Sequence, residues 1–220
     1  MPNWCMTNYI FYGSEAEVNA LHDKFNDWTS KEGIITNFGE AWLGNILFHA
    51  GLTERINNAN NCPSRARIPC RGWVEDISDV LFSRNELNAY TFSLTTETAW
   101  GAMPEMFELV IKTLGYSIQF MFQSEECNMG VYDIYDPEGT GFFDGENAYI
   151  DMFIDDRNEA FEKYPYLNDI SDVGYCNREW ISEWLRRNEF SQPEDLANIE
   201  LPSENDYISI HYFDYVDKWW

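Results

Sequence analysis

Basic residues are scarce in this 220-residue chain: 14 Lys and Arg face 38 Asp and Glu, for a formal net charge of −24. A surface this negative repels phosphate backbones and anionic membranes, which argues against direct nucleic-acid or lipid binding. No uninterrupted apolar run approaches the roughly 20 residues that a membrane span requires. The opening Met1-Pro2-Asn3-Trp4-Cys5 lacks the basic-then-apolar layout of a secretory signal, so a soluble, cytoplasmic protein is the expectation. Cysteine is sparse and odd in number (Cys5, Cys62, Cys70, Cys127, Cys176), which reads as reduced thiols rather than a disulfide framework. Cys62 and Cys70 are the nearest pair, and no second close Cys/His pair completes a tetrahedral zinc site, with His49 a third ligand only by accident of folding. The three histidines stand in unrelated contexts: His22 beside Leu21 on a helical stripe, His49, and His211 between Ile210 and Tyr212. With no Gly-x-Ser-x-Gly elbow either, no nucleophilic enzyme is expected, and neither a catalytic residue nor a cofactor is assigned. Repeats, low-complexity tracts and a clear interdomain linker are also missing, which predicts one domain over 1–220.

What is present is a large apolar and aromatic complement, 45% and 17% of the residues, enough for a real core and too much for a disordered acidic tail. Tyr9-Ile10-Phe11-Tyr12 reads as a strand ending at Gly13. Ser14 is placed to cap a helix whose stripe is Val18, Leu21, Phe25 and Trp28, with Glu15 and Glu17 at its positive end. Residues 30–70 read as an insertion, with a short helix over Trp42–Phe48 and a polar loop from Asn57 to Pro69. Strand patterns return at Arg71–Ile77 and Tyr90–Thr96. Pro104 opens a helix with the stripe Met106, Phe107, Val110, Ile111 and Leu114, and Gly115 closes it. In the next strand Ile118, Phe120 and Phe122 alternate with Gln119, Met121 and Gln123. The order β-α-(insertion)-β-β-α-β predicts an α+β fold with a ferredoxin-like βαββαβ core, an antiparallel sheet with helices on one face. Residues 136–220 then form an acidic C-terminal β/α elaboration on a core of 1–135. Beyond the βαββαβ order the expected elements are strands at Val131–Tyr135, Tyr149–Ile154 and Ile208–Tyr212, and a helix carrying Trp180, Ile181, Trp184 and Leu185 before Arg186 and Arg187.

Several segments together resemble the YubB ferredoxin-like family, whose members are carried on plasmids, phages and other mobile elements. They are Met1-Pro2-Asn3-Trp4-Cys5 with the strand ending in Gly13, Trp42-Leu43-Gly44-Asn45, Cys70-Arg71-Gly72, and Thr96-Glu97-Thr98-Ala99-Trp100 leading through a Pro into the second core helix. The match spans residues 1 to about 135. It implies the ferredoxin-like fold and a mobile-element origin, and brings no reaction and no catalytic residues.

The acidity is uneven. Residues 1–100 carry 12 carboxylates against 7 bases, and residues 101–220 carry 26 against 7. From Glu125 to Asp172 there are 14 carboxylates and two bases, Arg157 and Lys163. Such a surface suits a basic protein partner, and acidity of this kind also serves solubility. The candidate contacts are Glu125, Glu126, Asp133, Asp136, Glu138, Asp144, Glu146, Asp151, Asp155 and Asp156, presenting carboxylates where a nucleic acid presents phosphates. Two alternatives stand beside a protein-binding factor. One is a divalent-metal protein or metal-dependent enzyme built on the Asp133–Glu146 turn, although position 12 counted from Asp136 is Asn147 where an EF-hand needs Glu. The other is a structural or self-associating protein. The Gly-rich run Gly139–Gly145 has no Lys and reads as a turn rather than a phosphate loop. At the C-terminus Tyr207, Tyr212, Phe213, Tyr215, Trp219 and Trp220 form either a binding surface or a part of the core.

Overall fold

Strand β1 runs over Trp4–Gly13, well beyond the aromatic run that announces it, because hydrogen-bonded neighbours on both sides hold Thr7 and Asn8 extended as well. The computed structural model describes residues 3–31, 38–56, 68–84, 87–126 and 130–217. The chain divides into two compact units, Met1–Thr140 with Tyr215–Trp220, and Gly141–Asp214. The sequence draws its internal boundary five residues earlier, at 135/136.

In the first unit, helix α1 (Glu15–Trp28) begins where the Ser14 hydroxyl accepts the Glu17 N–H, and it buries Val18, Leu21, Phe25 and Trp28 as its spacing requires. Helix α2 (Leu43–His49) follows. Strands β2 (Gly72–Ile77), β3 (Leu81–Ser83) and β4 (Ala89–Ala99) come next, then helix α3 (Pro104–Leu114) and strands β5 (Gln119–Glu126) and β6 (Val131–Tyr135). Helix α3 ends at Gly115 with φ +72, a left-handed C-cap that glycine adopts without steric cost. The sheet order is β6-β5-β1-β4-β2, every pairing is antiparallel, and β3 pairs with β4. Strand β3 has no alternating signature in the sequence, since it is three residues long and exposes Leu81 and Phe82.

Helices α1 and α3 pack on one face of this sheet. There Tyr9 and Phe11 of β1, Phe92 and Leu94 of β4 and Phe120 and Phe122 of β5 share a core with Phe25, Phe107 and Val110. The segment expected as an insertion supplies part of the same core through Trp42, Leu43, Ile46 and Leu47. Its Trp42-Leu43-Gly44-Asn45 run has a packing logic. The Trp42 indole lies on Gly44, where a Cβ would stand 2.2 Å from the ring, and the Asn45 Nδ2 donates to the carbonyls of Gly39 and Glu40 at 2.9 and 2.7 Å. Gly44→Ala is therefore expected to destabilise the unit by about 1–3 kcal/mol through overpacking, read as a lowered midpoint in thermal or urea unfolding. Residues 57–67 of the expected polar loop, with Cys62, lie outside the described residues, as do Met1, Pro2, Trp219 and Trp220.

The second unit has its own sheet, with strands β7 (Ala148–Phe153), β8 (Tyr175–Cys176) and β9 (Tyr207–Tyr212) in the order β8-β7-β9. Helices α4 (Arg157–Lys163) and α5 (Arg178–Arg187) complete it. Its core gathers Ile150, Leu167, Ile181, Trp184, Leu185 and Leu196. Trp180, expected on the apolar side of α5, sits at the margin of the stripe and is exposed. Helix α4 and strand β8 were not legible as elements. The first buries only Ala160 and the second is two residues long, so neither carries a periodic apolar pattern. No helix among the described residues is long and apolar enough to cross a membrane.

Candidate functional site

The ten candidate carboxylates fall on both units. Glu125, Glu126, Asp133, Asp136 and Glu138 belong to the first; Asp144, Glu146, Asp151, Asp155 and Asp156 belong to the second.

Strand alternation separates the first of them. Glu126 shares the phase of Phe120 and Phe122, so it points to the helix-covered face and is only 1% exposed. Asp133 stands opposite Ser124 on that face, and Ser124 stands opposite Thr7. Glu125 points the other way, opposite Met6 and Tyr132. A buried Glu126 is not a surface contact, so it leaves the candidate set. Its phase was readable from Phe120 and Phe122, had the alternation been carried four residues further.

The helix-side group is polar and enclosed: Cys5, Thr7, Thr96, Thr98, Ser124 and Glu126 are all buried. Burial pushes the Cys5 thiol up to about 11; the Thr7 hydroxyl opposes this, and the nearby negative charges of Glu126, Asp133 and Glu125 add to it. Burial likewise pushes Cys176 up to about 11. A thiol at that value is roughly one part in a thousand thiolate at pH 8, and the thiolate is the nucleophile. Cys5, Cys70 and Cys176 are all buried. Ellman's reagent at pH 8 is expected to find no more than two of the five thiols before unfolding and all five afterwards.

The 136–140 turn is closed by its own groups. The Thr140 hydroxyl donates to the Asp136 carboxylate at 3.0 Å and the Gly139 N–H to the Asp136 carbonyl at 3.1 Å. Glu138 accepts from Gln119 Nε2 at 3.0 Å. Glu138 also lines a cleft of about 450 Å³ with Glu108, Lys112, Tyr116, Phe120 and Tyr135. Burial raises the Tyr135 phenol, and Glu108 and Glu138 raise it further. Among the described residues no group of three or more His, Cys, Asp or Glu side chains is placed to hold a metal ion, so the metal reading of Asp133–Glu146 has no assembled ligand set. Asn147, the residue that breaks the EF-hand spacing, is structural: its side-chain oxygen accepts the Arg178 N–H at 2.9 Å.

In the second unit Asp144 and Glu146 lie, both exposed, on a single helical turn before β7, and the other three follow further along the chain. Asp151 lies on β7, and Asp155 and Asp156 lie where that strand leads into α4. Asp156 caps the helix by accepting the Glu159 N–H at 3.1 Å. Asp206 accepts the Asp155 N–H at 2.9 Å, and Asp151 accepts from the Tyr207 hydroxyl at 3.2 Å. Helix α4 adds Glu159 and Glu162, both exposed, which were not among the candidates because no helix was read there. This β7–α4 corner thus carries Asp151, Asp155, Asp156, Glu159 and Glu162, none of them buried.

The whole second unit has the same character. It holds 18 Asp and Glu against 5 Lys and Arg, a net of −13, and none of the 18 is buried. Four of the five bases are engaged within the unit: Arg157 with Asp172 at 3.2 Å, Lys163 with Glu200 at 3.2 Å, Arg178 with Asp214 at 3.7 Å and Arg186 with Glu183 at 2.7 Å. Arg178 also lies 5.0 Å from the Tyr212 ring centroid and donates to the Phe213 carbonyl, so its charge is held in place.

Two of the three histidines have local hydrogen-bonding partners. His22 lies 3.0 Å from Asn26 Nδ2, and His211 lies 2.8 Å from the Ser209 hydroxyl, with burial pushing its pKa down. The C-terminal aromatics divide: Phe213 is buried and Tyr212 half-buried, whereas Tyr207 and Tyr215 are exposed. Comparison with family models, with curated proteins and with solved structures returns no match for this chain.

Proposed function

We propose that this chain is a non-enzymatic, acidic protein-binding factor that presents carboxylates to a basic nucleic-acid-binding protein, where a nucleic acid would present phosphates. The observation that carries this reading is the second unit: all 18 of its carboxylates reach solvent, while four of its five bases are already spent on local ion pairs. Exposed pairs of that kind contribute little to stability, so the excess negative charge is poorly explained as structural glue. It creates instead a field that steers a cationic partner and disfavours a phosphate backbone. The β7–α4 corner, with Asp151, Asp155, Asp156, Glu159 and Glu162, is the proposed focus.

The proposal extends to the fold and origin. The first unit is taken as a ferredoxin-like domain, supported by the order β5-β1-β4-β2 and by α1 and α3 sharing one core. Membership of the YubB ferredoxin-like family, with its mobile-element carriage, and action in the cytoplasm belong to the same proposal. The test is affinity capture from host lysate at moderate salt, followed by competition with duplex DNA. A basic nucleic-acid-binding protein is expected on the resin and is expected to be displaced by the DNA. Capture of no such protein, or of one that DNA fails to displace, overturns the reading.

A further inference from the structure

The face of the first unit's sheet opposite the helices carries exposed aromatics at one end. In register, Glu97 of β4 stands between Met6 of β1 and Trp73 of β2, so the three side chains share a row on one face. Trp4, two residues before Met6, pairs with Ala99 and lies diagonal to Glu97. The Trp4 and Trp73 rings meet edge to face with centroids 5.6 Å apart, and the Trp73 indole N–H donates to the Phe38 carbonyl at 2.7 Å, which holds that ring in place. Trp4 and Met6 are 37% and 38% exposed, so both present apolar surface to solvent at this end of the sheet. Gly72, just before Trp73, allows the close approach of β2, since a Cβ there would come within 2.4 Å of the Glu97 carbonyl.

Glu97 is half-buried and forms no ion pair among the described residues. Arg71, whose carbonyl accepts the Ala99 N–H at 2.9 Å in the neighbouring row, holds its guanidinium 5.1 Å from the Trp100 ring centroid. Trp100 is itself held at φ +70, rare for a bulky residue, by its N–H to the Asn3 carbonyl at 2.8 Å; beside it, Thr98 Oγ1 donates to the Gly101 carbonyl at 2.8 Å. A carboxylate sharing one sheet face with two neighbouring indoles and a thioether is complementary to a cation with a flat face and a fork of donors. A guanidinium matches both features, stacking on an aromatic face and pairing with a carboxylate through two N–H groups.

We propose that Trp4, Met6, Trp73 and Glu97 form a docking corner for an arginine side chain of the partner protein. The inference rests on the chain being a binder of a basic protein and adds a second contact, on the other unit, that reads side-chain shape as well as charge. It is tested by titrating the full chain with acetyl-Gly-Arg-Gly-amide while following the tryptophan indole N–H signals by NMR, with signals assigned from Trp4→Phe and Trp73→Phe. Saturable shifts at Trp4 and Trp73 are expected, and Glu97→Gln, which preserves shape, is expected to weaken the response at least tenfold. The norleucine tripeptide of the same design is expected to give no saturable shift. No shift with the arginine peptide, an equal response to norleucine, or an unchanged response in Glu97→Gln would each overturn the inference. The two proposals separate cleanly. A basic protein captured and displaced by DNA, with no arginine-peptide response, would sink the corner alone. The peptide response without capture would uphold the corner and sink the proposed function.

Discussion

Removing four charges from the β7–α4 corner, by Asp151→Asn, Asp155→Asn, Glu159→Gln and Glu162→Gln together, is expected to weaken binding of the basic partner roughly 30-fold. The estimate takes about 0.5 kcal/mol per exposed ion pair, about 2 kcal/mol in all, converted at about 1.4 kcal/mol per decade. The four changes keep side-chain size, spare Asp156, which caps α4, and Asp206, which holds the Asp155 N–H, and leave at position 151 an amide oxygen able to accept the Tyr207 hydroxyl. Folding should therefore survive, and circular dichroism is expected to be unchanged. The matched control is Glu179, Glu189, Glu194 and Glu204, each replaced by Gln. These are also exposed in the second unit and remove the same total charge. Titration calorimetry at two salt concentrations is expected to show a much smaller loss for the control set and a shallower salt dependence for the corner set. Equal losses from both sets would mean that the partner reads the field of the whole unit rather than this corner.

Phe11→Ala is expected to cost about 3–5 kcal/mol, the range for deleting a buried aromatic ring from a core that cannot collapse around the gap. Phe11 is fully buried at the centre of the first unit. Its ring lies 5.1 Å from Phe92, 5.4 Å from Phe107, 5.6 Å from Phe25, 5.7 Å from Phe120 and 6.2 Å from Tyr9, measured between centroids. Those partners come from β4, α3, α1, β5 and β1, so a single cavity would loosen every layer that meets there. Total stabilities of domains this size run to about 5–15 kcal/mol, and a loss of this size takes a large part of that. Phe11→Leu, which keeps most of the volume, is expected to cost about 1–1.5 kcal/mol. Urea unfolding of the two variants beside the parent checks both values, and a Phe11→Ala cost below that of Phe11→Leu would contradict the packing described.

The helices that could be read from the sequence are those whose burial follows a local period. Val18, Leu21, Phe25 and Trp28 face inward as spaced, and Pro104 and Gly115 bracket α3 by their backbone chemistry. Helix α4 escaped because its charged residues show no stripe, and Glu159 and Glu162 were missed with it. Glu125 and Glu126 show the limit in the strands. Adjacent in sequence and alike in chemistry, they end on opposite faces because the pleat reverses direction at every residue.

Composition and periodicity alone settled that this is an α+β chain with a substantial aromatic core, a strong excess of negative charge in its later half, and helices at α1 and α3. Only the tertiary structure decided the rest: which strands lie side by side, that Glu126 is enclosed, that the acidic segment forms a unit with four of its five bases engaged, and that Trp4, Trp73 and Glu97 share one face at one end of a sheet. The physical reason is range. Helical stripes and strand alternation are set by residues a few positions apart, whereas strand order joins Trp4 to Ala99 and Gly72 to Thr98 through pairings that no local pattern encodes.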